Sequence, residues 1–116
     1  MKRLGERVWL TLFFCVGIMG ALFTGVAAAD EERTLMIKNN VFLPNEIHVP
    51  PNTPSILKVT NADVSAEEFE SPSLNREKLI RGGGSVEIRL PALKPGRYEF
   101  YGEFHPDSAR GVLIVE

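Results

Sequence analysis

The stretch that decides the fold is LKPGRYEFYGEFHPDSARGVLIVE, residues 93–116. Pro95-Gly96 marks a turn. From Arg97 to Phe104 the side chains alternate, with Tyr98, Phe100 and Phe104 on one face and Arg97 and Glu99 on the other. That period of two predicts a half-buried strand. VLIVE, residues 112–116, predicts a second strand that closes the chain. The loop between them holds His105, flanked by Glu103 and Asp107, and has no cysteine or methionine. It reads as a metal-binding loop that lacks sulfur.

Working outward, the same alternation recurs. In SVEIRL (85–90) Val86, Ile88 and Leu90 turn inward, and Glu87 and Arg89 outward. In ILKVTN (56–61) Leu57 and Val59 share the inner face, and in NEIHV (45–49) Ile47 and Val49 do so while Glu46 and His48 face out. TLMIK (34–38) places Leu35 and Ile37 inside and Met36 on the other face. Asn39-Asn40 and the run Pro50–Pro54 are turn and loop signals. AEEFES (66–71) supplies Phe69 as an inward anchor. LNREKLI (74–80) predicts one or two helical turns, with Leu74 and Lys78 or Leu79 at helical spacing, too short to be stable alone. Gly82-Gly83-Gly84 makes a bent connection. Six to eight short strands with Pro/Gly turns and almost no helix predict an all-β protein, an antiparallel Greek-key β-sandwich.

The N-terminus stands apart from this pattern. Lys2, Arg3 and Arg7 precede an uncharged apolar run from Val8 to Val26, and Ala27-Ala28-Ala29 follows. A basic region, an apolar region and small residues before Asp30 predict a secretory signal peptide over residues 1–29 and a domain over 30–116. The competing reading is an uncleaved membrane anchor, because the run approaches the ~20 residues that span a bilayer.

Removing residues 1–29 removes the only cysteine, Cys15, and leaves ten Lys/Arg against fourteen Asp/Glu. A mildly acidic domain argues against nucleic acid, which calls for a basic stripe, and suits a cation. No disulfide is available, although an oxidising compartment permits one. The serines have no histidine–acid arrangement around them, and there is no nucleotide loop or CxxC, so hydrolase chemistry has no support.

Three segments in order resemble a cupredoxin: VFLPNEIHVPPNTP as the opening strand, ILKVTNADVSAEEF as the strand and Asn turn before the first ligand, and residues 93–116 as the last strands around the copper loop. The family's blue copper site uses a histidine two residues before an aromatic, then a cysteine, a second histidine and a methionine. By that pattern the first slot falls on Glu67, the cysteine slot on Gly102 and the methionine slot on Ala109, while His105 is kept. Type-1 copper needs a thiolate, so the resemblance implies no blue electron carrier. Carboxylates with one imidazole suit harder ions: iron, Mn(II), or Cu(II) bound without sulfur. The metal ligands expected on this reading are Glu67, His105, Glu103 and Asp107, with Glu68 and Glu70 beside Glu67.

The chain is also similar to cupredoxin-like components of bacterial periplasmic iron-uptake systems. That similarity implies a periplasmic protein holding an iron or copper ion for an inner-membrane iron permease and other uptake components. Whether the site also oxidises iron is left open by ligand types alone. Each residue has a plainer alternative. His105 also suits a structural histidine bonded to loop backbone, and Glu67 a solvated loop carboxylate. His48 suits a surface residue and Tyr98 a corner tyrosine. The alternative for the whole protein is a metal-free sandwich that docks on a membrane partner through residues 70–84.

Overall fold

Nine strands follow one another in the computed structural model, which describes residues 30–116: β1 (Glu31–Lys38), β2 (Val41–Leu43), β3 (Glu46–Val49), β4 (Ser55–Asn61), β5 (Glu67–Ser71), β6 (Arg76–Ile80), β7 (Ser85–Leu90), β8 (Gly96–Gly102) and β9 (Arg110–Val115). The expected signal peptide, residues 1–29, lies outside the described residues. The strands form two layers, a four-stranded sheet in the order β2-β1-β4-β7 and a five-stranded sheet in the order β3-β9-β8-β5-β6. The all-β sandwich expected from alternation is the architecture found. It is mixed rather than purely antiparallel: β1 runs parallel to β4, and β3 parallel to β9.

Inward side chains of both sheets build one core, including Leu35, Ile37, Leu57, Val59, Ile88, Leu113 and Val115. At its centre Phe69 stacks on Phe100 with centroids 5.0 Å apart, and Phe42 meets both rings edge-on. Such a cluster adds geometric preference to its burial, and losing one ring costs about 3–5 kcal/mol. Gly111 is required here, because a Cβ would run into the Phe100 ring.

Turn chemistry sets the registers. Asn39 and Asn40 both adopt positive φ, the geometry of a two-residue hairpin, and join β1 to β2 with Lys38 opposite Val41. Pro44, after a cis peptide bond, separates β2 from β3.

Three local expectations are corrected. β1 begins at Glu31 rather than Thr34, because pairing with β4 extends to Glu31 opposite Ser55; Arg33 Nε also donates to the His48 carbonyl at 2.7 Å. LNREKLI is not helical. Its second half is the edge strand β6, paired with β5, after a turn in which Asn75 takes positive φ and the Ser71 hydroxyl accepts from Leu74 N–H at 3.3 Å. Pairing across the sheet overrides a spacing that is too short to nucleate a helix. Phe104 does not join Phe100. β8 ends at Gly102, and the His105 N–H turns back to the Gly102 carbonyl at 3.1 Å, leaving Phe104 half exposed.

Candidate metal centre

The β1–β2 turn and the β4–β5 and β8–β9 loops meet at one end of the sandwich. Asp63 ties them: its two carboxylate oxygens accept from Asn39 N–H at 2.8 Å and Asn40 N–H at 2.9 Å. Those N–H bonds, Asn40 before Asn39, hold its carboxyl below the ordinary 3.8, with smaller help from the charges of His105 and Lys38. The Ser108 hydroxyl donates to the Asn40 carbonyl at 2.7 Å, fixing the β8–β9 loop to the same turn. Buried Asn61 donates to the carbonyls of Ser65 (2.8 Å) and Ile80 (3.1 Å) and accepts from Asp63 N–H (3.0 Å).

Under this tie lies Glu67, the first residue of β5. Alternation with Phe69 turns it inward, and it is 1 % exposed. One carboxylate oxygen accepts from the backbone N–H groups of Glu68 and Phe104, each at 2.9 Å. The other accepts from His105 Nδ1 at 2.5 Å. Three donors therefore saturate a buried acid that would otherwise be costly to keep in the interior. With Nδ1 donating, the neutral ring keeps its lone pair at Nε2, the same device by which second-shell carboxylates orient metal-binding histidines.

The carboxylate also fills the space that any side chain at position 102, the slot the resemblance assigns to cysteine, would need. A Cβ at Gly102 would lie 2.5 Å from Glu67 Cδ, 2.7 Å from its Oε2 and 2.8 Å from Ala109 Cβ. The donor set holds no thiolate, and the room for one is filled. The residues present do not fit a type-1 copper ion.

A second group lies on the outer face of the five-stranded sheet. Glu68, Glu70, Glu77 and Glu103 each bring one carboxylate oxygen within 4.8 Å of the others. Glu68 and Glu70 are alternate residues of β5, Glu77 pairs with Glu70 across the β5–β6 ladder, and Glu103 N–H donates to the Glu68 carbonyl at 2.9 Å. Crowding has an electrostatic signature. A hydrogen bond that protonated Glu68 donates to Glu77 first, then desolvation and the Glu103 charge, push Glu68 up to about 7. Desolvation, then the charges of Glu77 and Glu103, push Glu70 upward as well. Several carboxylate oxygens at this spacing match what hard divalent and trivalent cations take as ligands.

The four expected ligands thus separate. Glu67 and His105 come together as a pair of one buried and one half-buried side chain, Glu103 joins the outer cluster, and Asp107 is exposed on the loop and belongs to neither group. Glu77 was hidden by the helical spacing of its segment. Glu68 and Glu70 were readable as a shared outer face once Phe69 was placed inward.

Comparison with known proteins agrees with the architecture. The family model described as "Cupredoxin-like domain" matches residues 8–115. The uncharacterized protein RP394 of Rickettsia prowazekii (strain Madrid E) is 46% identical over 84 residues, 72% of this chain and 67% of that one. Among solved structures, auracyanin A, a "blue" copper protein of Chloroflexus aurantiacus, matches with a TM-score of 0.66 at 14% identity, over 76% of this chain and 100% of its own. The metal-binding domain of the Cu(I)-exporting P-type ATPase CopA of Streptococcus pneumoniae D39 matches at 0.65 and 16% identity, over 73% of this chain and 84% of its own. At such identities the likeness to solved structures is one of fold. The sandwich, the loop end that holds His105 and the family match agree, and the chain belongs to the cupredoxin-like domain family.

Proposed function

We propose that this chain is a periplasmic cation-binding protein that serves iron (or copper) uptake, presenting its ion to an inner-membrane permease. The observation behind this reading is the convergence of Glu68, Glu70, Glu77 and Glu103 within 4.8 Å. Four acids so close repel one another, and a bound cation would turn that repulsion into attraction. His105 belongs to the separate loop-end pair with Glu67, which fixes its ring, and is the nitrogen donor of an alternative site there. A site on an outer sheet face favours exchange over storage. The periplasmic location rests on the signal-peptide pattern of residues 1–29, and the iron connection on resemblance to uptake components. The copper named for the structural neighbours is consistent with a metal role.

One observation favours the metal-free alternative: both oxygens of the Glu67 carboxylate are already taken, by the Glu68 and Phe104 N–H groups and by His105 Nδ1. Calorimetric titration of the purified protein with Fe(II) under anaerobic conditions, Mn(II), Cu(II) and Zn(II) separates the two. The cation reading expects binding that is lost in the double variant Glu68→Gln/Glu77→Gln. Binding kept by that variant but lost in His105→Ala moves the site to the loop end. No heat and no stabilisation with any ion leaves the interaction module.

A further inference from the structure

We propose that a groove across the outer face of the five-stranded sheet binds a small hydroxydicarboxylate through Arg97 and Arg110. Arg97 on β8 and Arg110 on β9 both turn outward and line one depression of about 530 Å³ with Pro72, Ser73, Glu99 and Tyr101. The depression continues over Gly111 and Val112, where both arginines line it again.

The two guanidinium groups are available. The described arginine ion pairs involve Arg33 and Arg89, and the described side-chain hydrogen bonds from arginine come from Arg33 and Arg76. Arg110 instead sits over the Tyr101 ring, 6.0 Å from its centroid, an arrangement that orients its planar fork. A free fork of this kind is suited to paired hydrogen bonds with a carboxylate.

Spacing selects the ligand. Arg110 pairs with Tyr101 and Arg97 with Ile114, so the two arginine positions are four residues apart along the ladder, ~13 Å between backbones. Their side chains enter the groove from opposite ends. One phosphate would satisfy one end only, whereas a ligand with two separated carboxylates satisfies both. Glu99 lies between them on the same face. It repels charge at the ligand's centre and accepts a hydrogen bond from a hydroxyl there. Two terminal acids around a central hydroxyl meet all three groups.

The groove adjoins the acidic cluster, since Tyr101 is the cross-strand partner of Glu70, but it binds its anion without needing a metal. The test is a nitrogen-15 NMR titration of the metal-free protein with 3-hydroxyglutarate, with glutarate (the same acids without the hydroxyl) and with inorganic phosphate. 3-Hydroxyglutarate is expected to shift amides between Arg97 and Tyr101 and between Arg110 and Val112, and to bind at least about tenfold more tightly than phosphate. Arg97→Gln/Arg110→Gln should weaken 3-hydroxyglutarate by a similar factor, and Arg89→Gln should not. Glu99→Gln should strengthen glutarate relative to 3-hydroxyglutarate. Glu68→Gln/Glu77→Gln should leave 3-hydroxyglutarate binding intact, so loss of the cation reading leaves this site standing. 3-Hydroxyglutarate bound equally by the double arginine variant, or phosphate bound as tightly as 3-hydroxyglutarate, overturns the proposal. Because both arginine side chains are exposed, the variants fold, which a matching thermal transition verifies.

Discussion

His105 Nδ1 lies 2.5 Å from a Glu67 oxygen, in a space kept open because residue 102 is glycine. The carboxylate and the missing side chain at Gly102 are two halves of one packing solution. Restoring bulk at Gly102 would displace an acid that has nowhere else in the interior to find three donors.

Gly102→Ala should therefore destabilise the protein by about 1–3 kcal/mol, the usual cost of overpacking. Glu67→Ala should cost about 3–5 kcal/mol by stranding buried donors. Adding Gly102→Ala to Glu67→Ala should cost less than it does alone, because the new Cβ then meets a cavity. Urea denaturation of the two single variants and the double variant measures the coupling. Strict additivity would mean that the two positions do not share space.

The acidic cluster sets a pH dependence of unusual sign. Glu68 has a folded pKa of about 7 against an ordinary 4.5, so the folded state binds the proton more tightly than the unfolded one. This group's contribution is fully favourable below about 4.5 and is lost as pH rises through about 7. Glu68→Gln should raise the melting temperature well above neutrality, change it little near the lower value, and flatten the slope between. Melting curves across that window check it. A variant less stable than the parent in alkali would remove the repulsion from the account.

Asp63 governs the opposite limb. Its pKa lies below the ordinary 3.8 through the Asn40 and Asn39 N–H bonds. Its contribution is present above about 3.8 and is lost as pH falls through the depressed value. Asp63→Ala should lower the melting temperature at neutral pH and shrink the loss of stability on acidification. Amide hydrogen exchange at Asn39 and Asn40 should accelerate in the same variant, which localises the effect to the turn.

Much of this was legible in order and alternation. Val86-x-Ile88-x-Leu90 and Ile47-x-Val49 announce strands because period two has no other buried solution. Phe69 predicts its own burial and thereby the outward aim of Glu68 and Glu70. The slot two residues before Phe69 locates Glu67, the loop pattern along residues 97–111 locates His105, and the structure brings the two together. Less legible was what depends on partners distant in sequence. The parallel pairing of β1 with β4 recruits Glu31–Arg33 into a strand that their polarity does not announce. Glu77 enters the acidic group only through its register opposite Glu70, against a local spacing that suggested a helix. Arg97 and Arg110 meet in one groove because of a ladder, and neither position predicts the other.

Asn61 gives the crowded face a further property. By holding the carbonyls of Ser65 and Ile80 at once, it clamps the entry to β5 and the exit from β6 to the end of β4. An edge strand under repulsion would relax most easily by peeling away from its neighbour; this one is pinned at the end where peeling would start. The acids are thus kept under standing tension, like a compressed spring with its catch set one layer below. On the cation reading proposed above, an ion would find the geometry already made, the work of bringing the charges together having been done when the chain folded.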